Sequence, residues 1–264
     1  MLKVAGMARS TYYYNRKALS APVRHESARK ALKDLHKRHR GRYGYRRMTA
    51  ALRQQGIVLN HKTVRKLMRE EGIECKIRRK RKYNRVSAEM DTSPNLLNRR
   101  FTSEAPFIKA VTDVTEFNLG AQKIYVSALI DLYDGAVMSL AMSTSNDTEL
   151  VMSMFDGISQ SDLAKLKMIH SDQGVLYRTY RYHDFMAFWQ IQQSMSRRGN
   201  CYDNAVVESF FGTFKCETVK LYQIRSKEEL AKELVEYVRY YNEERLKSTL
   251  GYKSPMQYRQ LNGF

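Results

Sequence analysis

Basic residues in this chain are concentrated in its first 100 residues. That part contains 28 Lys and Arg against 7 Asp and Glu, whereas residues 101–264 contain 18 against 20. Such an asymmetry indicates two regions with different partners, the first of which faces a polyanion such as nucleic acid or an anionic membrane. A length of 264 residues and a hydrophobic content of 43% allow two domains with a buried core.

Two features argue against a membrane partner. No apolar run approaches the roughly 20 residues that a spanning helix needs, and the first residues lack the apolar stretch of a secretory signal. The three cysteines, Cys75, Cys201 and Cys216, contain no pair at metal-binding spacing, and their odd number favours a reducing compartment. We therefore expect a cytoplasmic protein, associated with the nucleoid.

Apolar residues recur at helical spacing in three segments of the basic region. These are about 26–40, about 46–55, and a segment that Asn60 caps and Gly72 ends. Three short basic helices are typical of a helix-turn-helix DNA-binding region, here residues 1–75, although a solvated basic bundle is the alternative. The candidate DNA contacts lie in the third helix and in the turn before the second: Lys62, Arg65, Lys66, Arg69, Arg42, Arg46 and Arg47.

Residues 76–100 show no core-forming periodicity. Seven of the ten residues from Lys76 to Arg85 are basic, and polar residues and Pro94 follow. This composition predicts a linker that becomes ordered on DNA phosphates. Its candidate contacts are Arg78, Arg79, Lys80 and Arg81.

The pattern changes near residue 101. Apolar runs at about 107–113, 123–131 and 136–142 predict three strands, the first of which ends at Asp113 and the last two of which are joined by a turn at Asp134-Gly135. Helices at about 147–159, 180–191 and 227–244 alternate with strands at about 165–171 and 194–197. This order predicts an α/β fold with a mixed sheet over residues 101–264.

Three acidic residues in this second region stand in distinctive contexts. Asp113 follows a buried-looking strand, Asp172 lies in His-Ser-Asp-Gln-Gly, and Glu208 opens a helix that begins near Asn204; 35 residues separate Asp172 from Glu208. Each alone has an ordinary explanation as a turn, strand-end or helix-start residue. Together they predict one catalytic and metal-binding site, because ligand chemistry gathers at strand ends in α/β sheets.

Carboxylates gathered in one site repel each other unless cations intervene. Two Mg²⁺ ions, roughly 3.5–4 Å apart, would relieve that repulsion and perform phosphoryl transfer, with Mn²⁺ as a substitute. Magnesium is preferred over zinc because all the ligands are hard oxygens.

Further residues near the acids are candidates for DNA contact. Lys215 lies two helical turns after Glu208 and faces the same way, and Asn204 lies one turn before it, where it could orient a metal-bound water. His170 is a candidate contact to the scissile phosphate, with a buried strand histidine as an equal alternative. Arg197 and Arg198 lie in a loop close to the site. Phe210, Phe211 and Phe214 are expected in the core.

These residues closely resemble the DDE transposases of bacterial insertion sequences, specifically the OrfB type with a retroviral-integrase-like core. The features that match are the three acids in their contexts, the 35-residue interval, Lys215, the segment 196–204, and two C-terminal segments, 241–245 and 250–255. The resemblance covers nearly the whole chain. It implies a ribonuclease-H-like catalytic core in which Asp113, Asp172 and Glu208 form the triad.

The resemblance also implies an activity and partners. These are Mg²⁺-dependent cleavage of element ends, transfer of the freed 3′-hydroxyl to another DNA strand, and a homo-oligomer on double-stranded DNA. In this family a separate upstream reading frame usually supplies another helix-turn-helix and a leucine zipper. Neither is visible here, so an upstream-frame protein is expected as a fusion partner. The competing interpretations are a DNA-binding accessory or regulatory protein and a nuclease that cuts without joining.

We predict that DNA binding depends steeply on salt and that most of this dependence comes from residues 1–100, which carry the excess of basic residues. Each neutralised phosphate releases about 0.9 counterion from duplex DNA. Binding of the full chain and of a chain that begins at residue 101 should be titrated against salt. Equal binding by the two chains would contradict the prediction.

Overall fold

The computed structural model describes residues 8–20, 24–77, 94–97, 101–120, 122–196 and 204–264. The chain forms two compact units, Met1–Lys76 and Ile77–Phe264. The described part of the first unit contains helices only, and the second combines helices with a sheet. None of the helices in these ranges is both long enough and apolar enough to cross a bilayer.

The first unit is built from short amphipathic helices. They are α1 (Arg9–Ser20), α2 (Glu26–Arg38), α3 (Tyr45–Gln54) and α4 (His61–Glu70). The helix α4 begins where Asn60 Oδ1 accepts a hydrogen bond of 2.8 Å from the Lys62 amide, as the sequence predicts. Its buried face consists of Val64, Leu67 and Met68, so its cations occupy the opposite, exposed face.

The second unit contains a five-stranded mixed sheet. Its strands are β1 (Lys109–Leu119), β2 (Gln122–Asp131), β3 (Val137–Ser143), β4 (Met168–Ser171) and β5 (Gln192–Met195), in the order β3-β2-β1-β4-β5. The first three strands pair antiparallel, whereas β4 pairs parallel with both β1 and β5. The mixed α/β sheet that the sequence predicts is therefore confirmed.

The second unit also contains seven α-helices in its described part. They are α5 (Thr148–Ser153), α6 (Gln160–Leu163), α7 (Tyr180–Phe188), α8 (Ala205–Phe214), α9 (Lys220–Tyr222), α10 (Lys227–Glu243) and α11 (Pro255–Leu261). Of these, α8 and α10 pack on one face of the sheet, and α5 and α7 pack on the other. One core contains Val111 and Phe117 of β1 with residues of α8 and α10, including the predicted core residues Phe210, Phe211 and Phe214. The other contains Ala110 of β1 with residues of α5 and α7. Because side chains alternate along a strand, Asp113 lies on the α8 face of the sheet.

The helix expected at about 147–159 is shorter than predicted. The helix α5 ends at Ser153, and Met154–Gly157 form a 3₁₀ turn. The hydroxyl of Ser139 on β3 donates a hydrogen bond of 2.5 Å to the Met154 carbonyl, which a continuing α-helix would offer to the Ile158 amide. That amide instead donates to the Phe155 carbonyl.

A π-helical turn, Lys215–Val219, follows α8 directly. Such wide turns are rare and need support from their surroundings. Here Glu217 is buried within the turn and accepts two hydrogen bonds from the Arg245 guanidinium, at 2.9 and 2.7 Å, and one from the Tyr237 hydroxyl at 3.0 Å. This buried ion pair fixes the turn, and with it Lys215, to the end of α10.

We predict that Arg245→Leu destabilises the second unit by about 3–5 kcal/mol, because it leaves the Glu217 carboxylate buried without its cation. Arg181→Leu is the matched control, since Arg181 pairs with Glu149 at an exposed position and should cost under about 1 kcal/mol. Urea unfolding followed by the fluorescence of Trp189, the one tryptophan of the chain, measures both. Equal effects of the two substitutions would refute the role given to Glu217.

Candidate functional site

Asp113 and Asp172 are brought together by the parallel pairing of β1 with β4. The register runs from Lys109 opposite Met168 to Val111 opposite His170. Asp113 and Asp172 each lie two residues beyond this last pair, so their side chains lie side by side on one face. The expectation that β1 ends at Asp113 is wrong, because the strand continues to Leu119 through its pairing with β2. It is the pairing with β4 that ends before Asp113.

Both carboxylates line one open cavity of about 480 Å³. Its other walls combine residues that follow Asp113 on β1, one residue of β2, one residue before α5 and the turn after Asp172. These are Val114, Thr115, Glu116, Tyr125, Asn146 and the run Gly174, Val175, Leu176 and Tyr177. The wall of the cavity thus combines three acidic residues, Asp113, Glu116 and Asp172, with apolar and aromatic side chains.

The Asp113 carboxyl carries the clearest electrostatic signature of the site. Its pKa is raised to about 7, first by burial and then by the negative charges of Asp172 and Glu208. The Val114 amide, which donates to Asp113 Oδ1 at 2.8 Å, and the positive charge of Lys215 act against this rise. Asp172 and Glu208 therefore both act electrostatically on Asp113.

Asp172 is held by the turn that follows it. Its Oδ1 accepts a hydrogen bond of 2.8 Å from the Gly174 amide, and desolvation by the surrounding protein raises the pKa of its carboxyl. A Cβ atom at position 174 would lie 2.8 Å from the same oxygen. The glycine is therefore required for the carboxylate to approach the backbone this closely.

Glu208 is exposed in the first turn of α8. Asn204 precedes this helix, but its side chain makes no capping hydrogen bond. It is 4% exposed, and within the described ranges its Oδ1 has no hydrogen-bond partner. A buried, unpaired acceptor beside Glu208 fits a donor such as a water molecule.

Lys215 lies next to the acids, on the same face of β1. Its Nζ donates a hydrogen bond of 2.6 Å to Thr115 Oγ1 and lies 4.9 Å from the centre of the Phe117 ring. Burial lowers the pKa of this amine, while the negative charge of Asp113 raises it. Thr115 was missed from the sequence, although its spacing of two residues from Asp113 places it on the same strand face.

The donor set fits a hard divalent cation, since its members are carboxylate oxygens that repel one another. A cation would be held by Asp113 and Asp172 at the open cavity, and not inside a closed cage of three or more side chains. Across residues 8–20, 24–77, 94–97, 101–120, 122–196 and 204–264, no three His, Cys, Asp or Glu side chains are close enough to enclose one ion. Asp113 and Asp172 line the same cavity. Glu208 does not line it, but its negative charge raises the pKa of Asp113.

His170, a predicted DNA contact, is not exposed at the protein surface. It is fully buried in β4, with Nδ1 2.8 Å from Ser194 Oγ and Nε2 3.0 Å from Ser196 Oγ. The candidate contact to a phosphate is therefore wrong, and the alternative of a buried strand histidine is correct. Both ring nitrogens are already engaged within the protein.

In the first unit, the predicted cations of α4 are all exposed. They are Lys62, Arg65, Lys66 and Arg69, and Lys66 forms a long ion pair of 3.8 Å with Glu70 one helical turn away. Their common face leaves the apolar residues of the helix in the core. This arrangement fits contact with a polyanion.

The other predicted cations of the first unit lie in the turn before α3 and in the first turn of that helix, and they differ in exposure. Arg46 is exposed, Arg47 is half-buried, and Arg42 is only 4% exposed. The guanidinium groups of Arg46 and Arg65 lie 5.7 and 5.9 Å from the centre of the Tyr45 ring. Arg42 is therefore corrected to a residue of the helical core, because it has no free path to a phosphate. The predicted contacts Arg78, Arg79, Lys80, Arg81, Arg197 and Arg198 lie outside the described residues.

Comparison with known proteins identifies similar chains and families. Residues 24–81 match the HTH-like domain family, and residues 103–201 and 189–255 match two families described as integrase core domains. The chain is 40% identical over 261 residues to InsK of insertion sequence element IS150 from Escherichia coli, covering 98% of this chain and 92% of that protein. It is 32% identical over 252 residues to the transposase of element IS904 from Lactococcus lactis, covering 94% of this chain and 99% of that protein.

Solved integrase structures are also similar. The catalytic core domain of HTLV-2 integrase in complex with magnesium gives a TM-score of 0.48 at 18% identity, covering 59% of this chain and 98% of that one.

We predict that, without divalent metal, Asp113→Asn stabilises the second unit at pH 7 but not at pH 4. The folded chain retains the Asp113 proton up to about pH 7, whereas the unfolded chain releases it near the ordinary value of 3.8. Between these values the free energy of unfolding falls as pH rises, and asparagine removes that loss, on the order of 3 kcal/mol.

Urea unfolding at both pH values, with Asp184→Asn at an exposed position of α7 as control, measures this gain. Added Mg²⁺ should cancel it, because a bound cation neutralises the carboxylates of the original chain. A gain that is equal at pH 4 and pH 7 would contradict the proposed electrostatic coupling.

Proposed function

The chain belongs to the insertion-sequence transposases with an integrase core, and we propose that it cuts the ends of its element and joins the freed 3′-hydroxyls to target DNA. The family membership and the α/β core preceded by helix-turn-helix-like helices were predicted from the sequence and are confirmed. The family is one of DNA-transferring enzymes. We propose in addition the roles of individual residues, the number of metal ions and the roles of the two regions.

The observation that carries the proposal is the convergence of charge around Asp113, whose pKa rises to about 7 beside Asp172 and Glu208. Acids that are held near each other at a cavity cost stability unless they serve a ligand, so acids with perturbed pKa values in a cleft indicate a functional site. Asp113 and Asp172 are proposed as the first metal ligands and Glu208 as the third. A pair of Mg²⁺ ions, or Mn²⁺ in their place, would supply activation of the attacking oxygen and stabilisation of the leaving oxygen.

The other residues of this chain hold and orient the DNA. We infer that Lys215, half-buried on Thr115, supplies the positive charge beside the scissile phosphate. Asn204 Oδ1, which has no hydrogen-bond partner among the described residues, would accept a hydrogen bond from a water or a sugar hydroxyl in the site. Val175 and Tyr125 add apolar surface to the cavity wall, against which a nucleotide could pack.

Binding to double-stranded DNA is assigned to the basic part of the chain. We propose residues 1–75 as the helix-turn-helix region, with the exposed face of α4 toward the groove, and residues 76–100 as the basic linker. Residues 101–264 then form the catalytic region. A homo-oligomer on DNA and an upstream-frame fusion partner stay predictions from the family resemblance.

We predict that Asp172→Asn lowers cleavage by roughly 1000-fold while DNA binding stays within about twofold. The substitution removes one ligand charge, and transition-state stabilisation by metal is worth several kcal/mol. The measurement uses a labelled duplex carrying an element end, Mg²⁺, and separate gel assays for binding and for cut and joined products. Asp184→Asn is the control and should cut normally.

Each outcome of this experiment decides between functions. Joined products from the original chain support a transposase, and cutting without joining supports a nuclease. Shifted but uncut DNA at every metal concentration supports a DNA-binding accessory protein. If Asp172→Asn lowers binding and cutting equally, the assignment of Asp172 to chemistry alone is wrong.

A further inference from the structure

A short segment that precedes the catalytic sheet is docked against its edge. Pro94, Asn95, Leu96 and Leu97 lie beside β5, the last strand of the sheet. The Pro94 carbonyl accepts from the Met195 amide at 3.4 Å, and the Leu97 side chain is 3% exposed in the core that contains α8. In sequence this segment follows the basic run that ends at Arg85.

The docked segment is held by one buried hydroxyl. Ser194 Oγ accepts hydrogen bonds from the amides of Leu96 and Leu97, at 3.0 and 3.2 Å. A serine hydroxyl has two acceptor sites and one hydrogen. Because both acceptor sites are used, its hydrogen points to the remaining neighbour, His170 Nδ1, at 2.8 Å.

Because the Ser194 hydroxyl donates to His170, the direction of the following hydrogen bonds is also determined. With Nδ1 accepting, the neutral imidazole carries its hydrogen on Nε2 and donates it to Ser196 Oγ at 3.0 Å. The Ser196 hydroxyl in turn donates to the Ser171 carbonyl at 3.2 Å. The hydroxyl of Ser194, the ring of His170 and the hydroxyl of Ser196 thus each donate one hydrogen bond and accept at least one.

The chain of hydrogen bonds ends at residues on both sides of Asp172. Ser196 binds the Ser171 carbonyl through its amide, at 2.9 Å, as well as its hydroxyl. Its own carbonyl accepts from Gln173 Nε2 at 2.9 Å. Ser196 is therefore hydrogen-bonded both to Ser171, the residue before Asp172, and to Gln173, the residue after it.

We propose that docking of residues 94–97 positions the Asp172 carboxylate through Ser194, His170 and Ser196. The inference rests on the proposed function, in which Asp172 binds metal. His170 and the two serines are positioning residues, since none of them reaches the cavity that the acids line. The segment between the basic region and the sheet is then part of the active site's support, and not only a tether.

Amide hydrogen exchange of the full chain tests the coupling without any catalytic step. The reporter is the Gly174 amide, which donates to Asp172 Oδ1, together with the Leu96 and Leu97 amides. Ser194→Ala should speed exchange at all three, by roughly 3–10-fold for the loss of about one hydrogen bond's free energy. Ser194→Thr, which keeps a hydroxyl, should restore slow exchange.

The matched control is Ser127→Ala, which removes another fully buried serine hydroxyl of the same sheet, one that contacts Met154 Sδ. It should leave Gly174, Leu96 and Leu97 unchanged. Faster exchange at Leu96 and Leu97 with no change at Gly174 would overturn the proposal, as would equal effects of Ser127→Ala. If Ser194→Ala does not fold, Ser196→Ala should speed exchange at Gly174, and an unchanged Gly174 would again overturn the proposal.

A second measurement connects the coupling to metal use. Groups that orient metal ligands tune metal affinity. Ser194→Ala should raise the Mg²⁺ concentration for half-maximal cutting by roughly 3–10-fold, the loss of about one hydrogen bond's free energy, and leave DNA affinity unchanged. An unchanged Mg²⁺ requirement would overturn the proposal. Failure of the original chain to cut DNA would defeat the proposed function but not the exchange result.

Discussion

Repulsion between carboxylates at the end of the β1–β4 pairing is the constraint on which the rest of the site depends. The parallel register places Asp113 and Asp172 side by side, and α8 adds the charge of Glu208. Burial and, after it, this repulsion raise the pKa of Asp113 to about 7. Three neighbouring groups limit the cost: the Val114 and Gly174 amides donate to the acids, and Lys215 supplies a positive charge. A site arranged in this way favours the binding of cations.

The site is supported by buried polar networks in two places. On one side the Glu217–Arg245 pair fixes the π-helical turn that begins at Lys215. At the edge of the sheet the serines around His170 fix the backbone around Asp172. Such fully satisfied networks hold a single geometry, because breaking any one bond leaves a buried group without its partner. The acids themselves remain open to solvent and ligand.

The sequence predicts most of the elements, because amphipathic spacing and turn residues act locally. Met48, Ala51 and Leu52 of α3 are all buried as expected, and Asn60 caps α4. The predictions from sequence are wrong where a residue that is distant in sequence determines the local structure. The Ser139 hydroxyl shortens α5, pairing with β2 extends β1 past Asp113, and two serines of later segments enclose His170. Arg42 likewise reads as an exposed cation until its packing is known. The Glu217–Arg245 pair spans 28 residues and leaves no local signal.

The central claim is that these acids bind divalent cations where DNA is cut. Its most direct test is a crystal structure of the protein bound to an element end in Mn²⁺, in which anomalous scattering locates the ions. The account predicts manganese in contact with the carboxylates of Asp113 and Asp172, with Glu208 completing the ligand set and the scissile phosphate alongside. Cut DNA in crystals with no manganese at these carboxylates, or with the three acids turned away from the phosphate, would contradict it.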